Sequence, residues 1–247
     1  MMDRSATRIY EQLYPKSAEI NIALPKPDRS RLDTLGRHVI LVQLTPWEEN
    51  GVEKADNHLP HREGRTLTFK SDHPWHKGHP APSVDVKLIH RMADDTGTFE
   101  RSELDVRFSH EQGQESSETA ITMWHFGYLF WRDGNTTNRK ELDRLIVAVR
   151  SLQRRKECEV WVHCSAGMGR TGTFMAAASL RNLFENGEKV TEILKLPVSP
   201  MGRYPRTNPV EVLIDKMRDQ RVLAVQTPSQ VELVRSFDPI QRDIYPF

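Results

Sequence analysis

Cysteine is scarce in this chain of 247 residues: Cys158 and Cys164 are the only two. Two thiols do not make a disulfide framework of the kind that small secreted domains need. Long apolar runs are missing as well, and none approaches the roughly 20 residues that cross a bilayer. The opening residues Met1-Met2-Asp3-Arg4-Ser5 are polar and read as lacking the apolar core of a secretory leader. Charge of one sign is also missing. The 35 Lys and Arg nearly balance the 34 Asp and Glu, for a net charge of +1. That excludes a whole-chain basic field for nucleic acid. No internal repeat and no low-complexity tail occur, so solenoids and disordered arrays drop out. What is left is a chain long enough to bury one sizeable core.

The pattern along the chain divides it. Residues 3–14 place Ile9, Tyr10 and Leu13 at helical spacing up to Pro15. Residues 15–37 are rich in Pro and charge and read as an extended loop. His38 to Leu44 is nearly continuously apolar, which predicts a central strand covered on both faces. Glu48 to Lys54 reads as a turn between strands. Four further strands are expected at Arg65–Lys70, Val84–His90, Glu103–Phe108 and Ala120–Tyr128, with loops at 71–80 and 110–118. Helices follow at 138–153, with Leu142, Leu145, Ile146, Val149 and Leu152 on one face, at Thr173–Phe184, at Pro209–Met217 and at Ser229–Phe237. Asn186-Gly187 is a usual helix stop. Residues 197–209 hold four prolines and read as an irregular insertion. Strands first and helices later predict an α/β fold, a mixed twisted sheet flanked by helices, in a single domain over 1–247.

The stretch Val160 to Phe174 organises the rest. It starts as a short apolar strand, passes through a loop with Gly167 and Gly169, and continues as an Ala/Leu-rich helix. The strand delivers Cys164 to the mouth of the loop. The backbone N–H groups of Ser165, Ala166, Gly167, Met168, Gly169 and Arg170 then converge with a helix N-terminus. Such a nest, with a fixed arginine, binds a tetrahedral oxyanion. The same field favours a nucleophilic thiolate.

The string His163-Cys164-Ser165-Ala166-Gly167-Met168-Gly169-Arg170-Thr171-Gly172-Thr173-Phe174 resembles the signature of the cysteine-dependent protein tyrosine phosphatases, the phosphotyrosine-specific branch in particular. Other segments agree in order. Glu49 and Lys54 resemble the strand and turn whose Glu orients the phosphate-binding arginine. Trp131-Arg132-Asp133-Gly134 is similar to the mobile loop that carries the general acid, with Arg132 in place of its proline. Met217 to Arg221 and Val225-Gln226-Thr227-x2-Gln230 resemble the loop whose glutamines position water. The likeness covers 37–237. Residues 1–36 are divergent: only Asp28-x-Ser30-Arg31 echoes the family, without the recognition tyrosine that sets pocket depth.

The resemblance implies phosphotyrosine hydrolysis through a phosphocysteine intermediate. Cys164 would be the nucleophile, and Arg170 with the loop amides would bind phosphate. Asp133 would be general acid and then base, with Gln226 and Gln230 orienting water. Thr171 would ease departure of the sulfur, His163 would tune the thiol, and Trp131 would hinge the Asp133 loop. It needs no metal and no cofactor. The partner is a phosphotyrosine protein or peptide, with neither nucleic acid nor a membrane span. A monomer in a reducing cytosol fits a thiolate, delivery into a host cytosol being an alternative setting. Three rival readings stay open: a phosphoinositide or inositol phosphate phosphatase, a dual-specificity phosphatase, and a catalytically weak phosphotyrosine-binding module. Asp133 can also be a turn residue, Gln226 and Gln230 helix-start polars, and Glu49 a surface charge. Cys158 reads as structural, a redox partnership with Cys164 being the alternative. His58-x2-His61 and His73-x2-His76-x2-His79 suggest metal, but they lie in Pro-rich loops without cysteine.

Overall fold

The computed structural model describes residues 38–70, 83–112, 115–186, 190–195 and 208–238. The expected helix at 3–14, the loops 15–37 and 71–80, the echo at Asp28, the His73 cluster and nearly all of 197–209 lie outside those residues.

The strands are β1 (His38–Gln43), β2 (Glu48–Glu49), β3 (Val52–Glu53), β4 (Thr66–Lys70), β5 (Ser83–Ala93), β6 (Glu100–Gln112), β7 (Glu115–Gly127) and β8 (Glu159–His163). The helices are α1 (Arg139–Lys156), α2 (Gly169–Glu185), α3 (Pro209–Gln220) and α4 (Pro228–Arg235). The main sheet runs β4-β5-β6-β7-β1-β8. Its first four strands pair antiparallel, while β1 lies parallel to both β7 and β8. The mixed sheet is therefore as expected, and β1 is interior. Its residues Ile40 and Val42 are fully buried on one face, and Val39 and Leu41 nearly so on the other. That two-sided burial is why the run is continuously apolar.

The larger core forms where α1 lays Leu142, Leu145, Ile146, Val149 and Leu152 against β1 and against Phe174, Ala177 and Leu180 of α2. Asn138 caps α1, its side-chain oxygen accepting from the Lys140 and Glu141 amides. Arg154, Arg155 and Lys156 close the last turn, where cations suit the helix dipole. A second core packs Val86, Leu88, Leu104 and Val106 of β5 and β6 with Leu59.

Two expectations change. The polar stretch 110–118 is mostly strand rather than loop, since β6 runs to Gln112 and β7 starts at Glu115 with those residues paired. Ladder hydrogen bonds come from the backbone, so polar composition alone did not exclude a strand. A 3-10 turn at Val190–Lys195 was also not expected; six residues are too few for a periodic signal.

Candidate active site

Strand β8 ends at His163, and Cys164 follows in a bend that opens into α2 at Gly169. The Leu44 amide donates to the His163 carbonyl at 2.9 Å, which pins the strand end to β1. Cys164 is 7% exposed, at the base of the loop, whereas Ser165 and Ala166 are exposed at its rim. Gly167 takes φ +67°, the left-handed turn that reverses the loop. Among the described residues, the backbone amides of Ser165 to Gly169 donate to no backbone carbonyl.

Arg170 is 1% exposed, which is unusual for a guanidinium. Its Nη1 donates to the Trp131 carbonyl at 2.7 Å, and its Nη2 lies 3.2 Å from the Asp133 carboxylate. Its Nε has no hydrogen-bond partner. A buried cation with spare donors, beside loop amides that no backbone carbonyl takes, can hold an anion by its own electrostatics. Thr171 is buried beside it with a hydroxyl that has no partner.

The Asp133 segment folds over this base. Trp131 is buried, packs edge-on against Tyr128 at 6.3 Å and donates from its indole N–H to the Asn135 carbonyl at 2.8 Å. Asp133 is half exposed, and Lys54 Nζ reaches its other carboxylate oxygen at 3.5 Å. Glu49 sits differently from what the family pattern implies: it accepts from the Asp133 backbone amide at 3.2 and 3.3 Å, so it holds the loop rather than the arginine. The hairpin turn Asn50-Gly51, both at positive φ, is what swings Glu49 and Lys54 toward the loop.

The glutamines enter from the other side. A Cβ on Gly169 would stand 3.0 Å from the side-chain oxygens of both Gln226 and Gln230, so both lie at the start of α2. They differ in freedom. Gln230 is buried, its oxygen taking the Gln226 amide at 2.9 Å and the Thr227 amide at 3.3 Å, and its amide nitrogen donating to Asn135 at 3.2 Å. Its oxygen is thus committed to the capping box of α4. Gln226 is exposed toward the mouth.

Sequence reasoning missed the arginines that hold this wall. Arg218 donates to the Ala224 carbonyl at 3.0 Å and the Val225 carbonyl at 2.8 Å, and Arg221 donates to the Ala166 carbonyl at 2.7 Å. Both lie in the segment Met217 to Arg221, but nothing local says which carbonyl a long side chain reaches.

His163 Nδ1 donates to the Cys164 carbonyl at 3.3 Å, and burial, with His58 second, pushes its imidazole down to about 4. Cys158 stands at the far end of β8, about 20 Å along the strand from Cys164 at ~3.3 Å per residue. That is beyond disulfide reach, so the redox alternative falls. Both thiols are free, and burial raises that of Cys158. Among the described residues no group of three His, Cys, Asp or Glu is arranged to hold a metal. Nor is any helix among them long and apolar enough to cross a membrane.

The profile described as Protein-tyrosine phosphatase matches residues 36–237. Receptor-type tyrosine-protein phosphatase N2 of Macaca nemestrina is 26% identical over 201 residues, 78% of this chain and 16% of that protein. The chain therefore spans under a fifth of the curated relatives it matches over most of its own length. Among solved structures, a Trypanosoma brucei protein tyrosine phosphatase superposes with TM-score 0.58 at 20% identity, over 87% of this chain and 64% of that one. PTPN18 in complex with HER2-pY1196 phosphopeptides gives 0.57 at 22%, over 87% and 62%. At such identities the likeness shows the fold.

Proposed function

This chain belongs to the protein-tyrosine phosphatase family, and from that premise we propose that it hydrolyses protein phosphotyrosine through a phosphocysteine intermediate. The observation that carries the reading is the buried Arg170, which joins the Cys164 loop to the Asp133 loop through the Trp131 carbonyl and the Asp133 carboxylate. One guanidinium thereby brings the nucleophile loop and the acid loop to the same anion.

In the proposed reaction the Cys164 thiolate attacks phosphorus in line, forming an S–P bond as the P–O bond to the tyrosine oxygen breaks. Arg170 and the amides from Ser165 to Arg170 take the equatorial oxygens. Asp133 gives its proton to the leaving phenolate. It then takes one from the water that attacks the S–P bond, a water oriented by the exposed Gln226. Thr171 supports the departing thiolate with its unpartnered hydroxyl. Gln230 ties the acid loop to α4 through Asn135. The likeness to a phosphatase bound to phosphotyrosine peptides supports a peptide substrate. A free thiolate nucleophile suits a reducing, cytosolic setting.

One observation favours a second reading, a weak catalyst that chiefly binds phosphotyrosine. The Asp133 carboxylate is engaged by both Arg170 and Lys54, so it must leave the guanidinium for phosphate to enter. Release of inorganic phosphate from a phosphotyrosine peptide, a phosphoserine peptide and a phosphoinositide decides among the readings. Turnover of the phosphotyrosine peptide, lost in Cys164→Ser, is expected. Binding of that peptide by Cys164→Ser with no release by the natural chain would establish the binding module. Preferred turnover of the lipid would overturn the peptide substrate.

A further inference from the structure

Three imidazoles from distant parts of the chain meet behind Cys164. His58 comes from the loop after β3, His125 from β7, and His163 ends β8. The His58 ring centroid lies 5.5 Å from that of His125 and 6.5 Å from that of His163. Trp47 packs edge-on against His58 at 5.3 Å and stacks on His125 at 6.2 Å.

Hydrogen bonds fix the tautomer of each ring. A carbonyl only accepts, so His163 Nδ1, 3.3 Å from the Cys164 oxygen, must carry its proton. The same holds for His58 Nδ1 at 3.1 Å from the Asp56 oxygen. Gln43 gives its amide N–H to the Thr45 carbonyl at 2.8 Å, which turns its oxygen toward His125 Nε2 at 3.0 Å. Each ring thus spends one N–H on an acceptor, and burial favours its neutral form. The Nε2 atoms of His58 and His163 are both buried and have no partner. A second proton on His163 would therefore find no acceptor there. Once His58 carries a charge in acid, that proton would also face a second cation 6.5 Å away between ring centroids. The charged and titratable groups around the cluster are Asp56 beside His58, Arg91 of β5 facing His125, and His61 and Glu100 in the cleft next to His125.

We propose that His58 is a positioning residue for Cys164: packed against His163, it keeps that ring in the neutral Nδ1–H form that holds the Cys164 carbonyl, and so sets how the nucleophile responds to acid. The proposal rests on the reading of Cys164 as the nucleophile. Burial is the first reason His163 stays uncharged, and the neighbouring His58 is the second. Without a chargeable ring at position 58, a proton from solvent reaches His163 Nε2 at higher pH. The resulting imidazolium stands one residue from Cys164. It strengthens the bond to the Cys164 carbonyl and favours the thiolate.

The test compares the full chain with His58→Phe, which keeps a ring against Trp47 and removes the titration. Two readouts are taken from pH 4 to 8: NMR of 13C-labelled histidine for His163, and alkylation of Cys164 by iodoacetamide. The variant is expected to raise the His163 midpoint by ~0.5 or more, which is about threefold in its charged population near pH 5.5, and to speed alkylation of Cys164 as that population grows. An unchanged His163 titration overturns the proposal, and so does a shifted titration with unchanged alkylation. His58→Gln, polar and uncharged, carries the same two outcomes should the phenylalanine variant not fold. Alkylation needs no turnover, so a chain that releases no phosphate sinks the proposed function and leaves this test standing.

Discussion

Arg170 and Asp133 make an unequal pair. The guanidinium is 1% exposed and the carboxylate 52% exposed, so the cation depends on the anion more than the reverse. Bulk water can replace Arg170 around Asp133, whereas the buried Arg170 must find its acceptors within the site. Removing Asp133 therefore has two effects of opposite sign. It deletes the proposed proton donor, and it frees a buried cation for phosphate. Asp133→Ala is expected to lower kcat for a phosphotyrosine peptide by about 10²–10⁴-fold, the usual weight of a positioned acid, with KM unchanged or reduced. Steady-state kinetics check this, and an unaltered kcat removes Asp133 from the chemistry. Gly172 is a second residue with no freedom. A Cβ there would stand 2.6 Å from the Val225 backbone nitrogen, and backbone cannot swing aside as a side chain can. Gly172→Ala should cost about 1–3 kcal/mol, as overpacking does, and should displace the neighbouring Gln226. Urea unfolding reads the first effect and phosphate release the second.

At the level of elements, the connection from α3 to α4 is the strained one. Leu223 and Val225 both adopt positive φ, at 65° and 56°, a region that costs a side-chain-bearing residue about 1–2 kcal/mol. Arg218 clamps the segment through the Ala224 and Val225 carbonyls, and the Val225 amide reaches the Met168 carbonyl at 3.4 Å. The strain is thus held by the loop that follows Cys164. The two positions respond differently to glycine. Leu223 is 52% exposed, so Leu223→Gly relieves strain at little loss of burial and should stabilise by roughly 0.5 kcal/mol, after about 0.5–1 for glycine entropy. Val225 is fully buried, and Val225→Gly forfeits roughly 1.5–3 kcal/mol of burial, so it should destabilise. Thermal unfolding of the pair checks the sign of each, and equal signs would refute the strain argument. The same segment marks how far the sequence can be read. Helices α1 and α3 were legible because Leu142, Leu145 and Ile146, and Val210, Leu213 and Ile214, repeat with the helical period. The 160–174 stretch was legible because nucleophile, loop and helix start are consecutive. Glu49 and Lys54 meet Asp133 across 84 and 79 positions, and Arg221 meets Ala166 across 55. Which partner such side chains choose is decided by the sheet and not by any local period. Strands were expected over 103–108 and 120–128, but their extension to Gln112 and from Glu115 was missed for the converse reason, since that part of the ladder rests on backbone bonds that leave no mark on side-chain identity.

Across the whole molecule, the two cores meet along β7, which gives Trp124 and Phe126 to the larger and packs Ile121 and Met123 against the smaller, and His125 lies on that strand. His125 is 2% exposed on β7, and Gln43 of β1 accepts its proton. Burial lowers His58, lowers His125 well below its ordinary value, and brings His163 to about 4, with the neighbouring imidazoles adding to the last two. The sign of the consequence follows. Unfolding returns each ring to water and to a value near 6.5, so between about 6.5 and about 4 the unfolded chain binds more protons than the folded one. Stability is then fully present above about 6.5 and falls as pH drops through the window toward about 4. His163 alone, moved from 6.5 to about 4, is worth on the order of 3 kcal/mol once fully protonated. The three rings do not add, because charging one opposes charging the next. The carboxylates act in a lower range. Asp94 is held below 3.8 by the Thr96 hydroxyl and the Phe99 and Thr96 amides against burial, so its contribution is lost only under about pH 4. Urea unfolding at pH 7.5, 6.5, 5.5 and 4.5 should therefore show a free energy that is flat at first and then declines across the histidine window, before the carboxylates contribute. A free energy that stays constant down to pH 4.5 would mean that the three rings are already charged or already wet in the native chain, and that the junction between the two cores is not the closed place its hydrogen bonds describe.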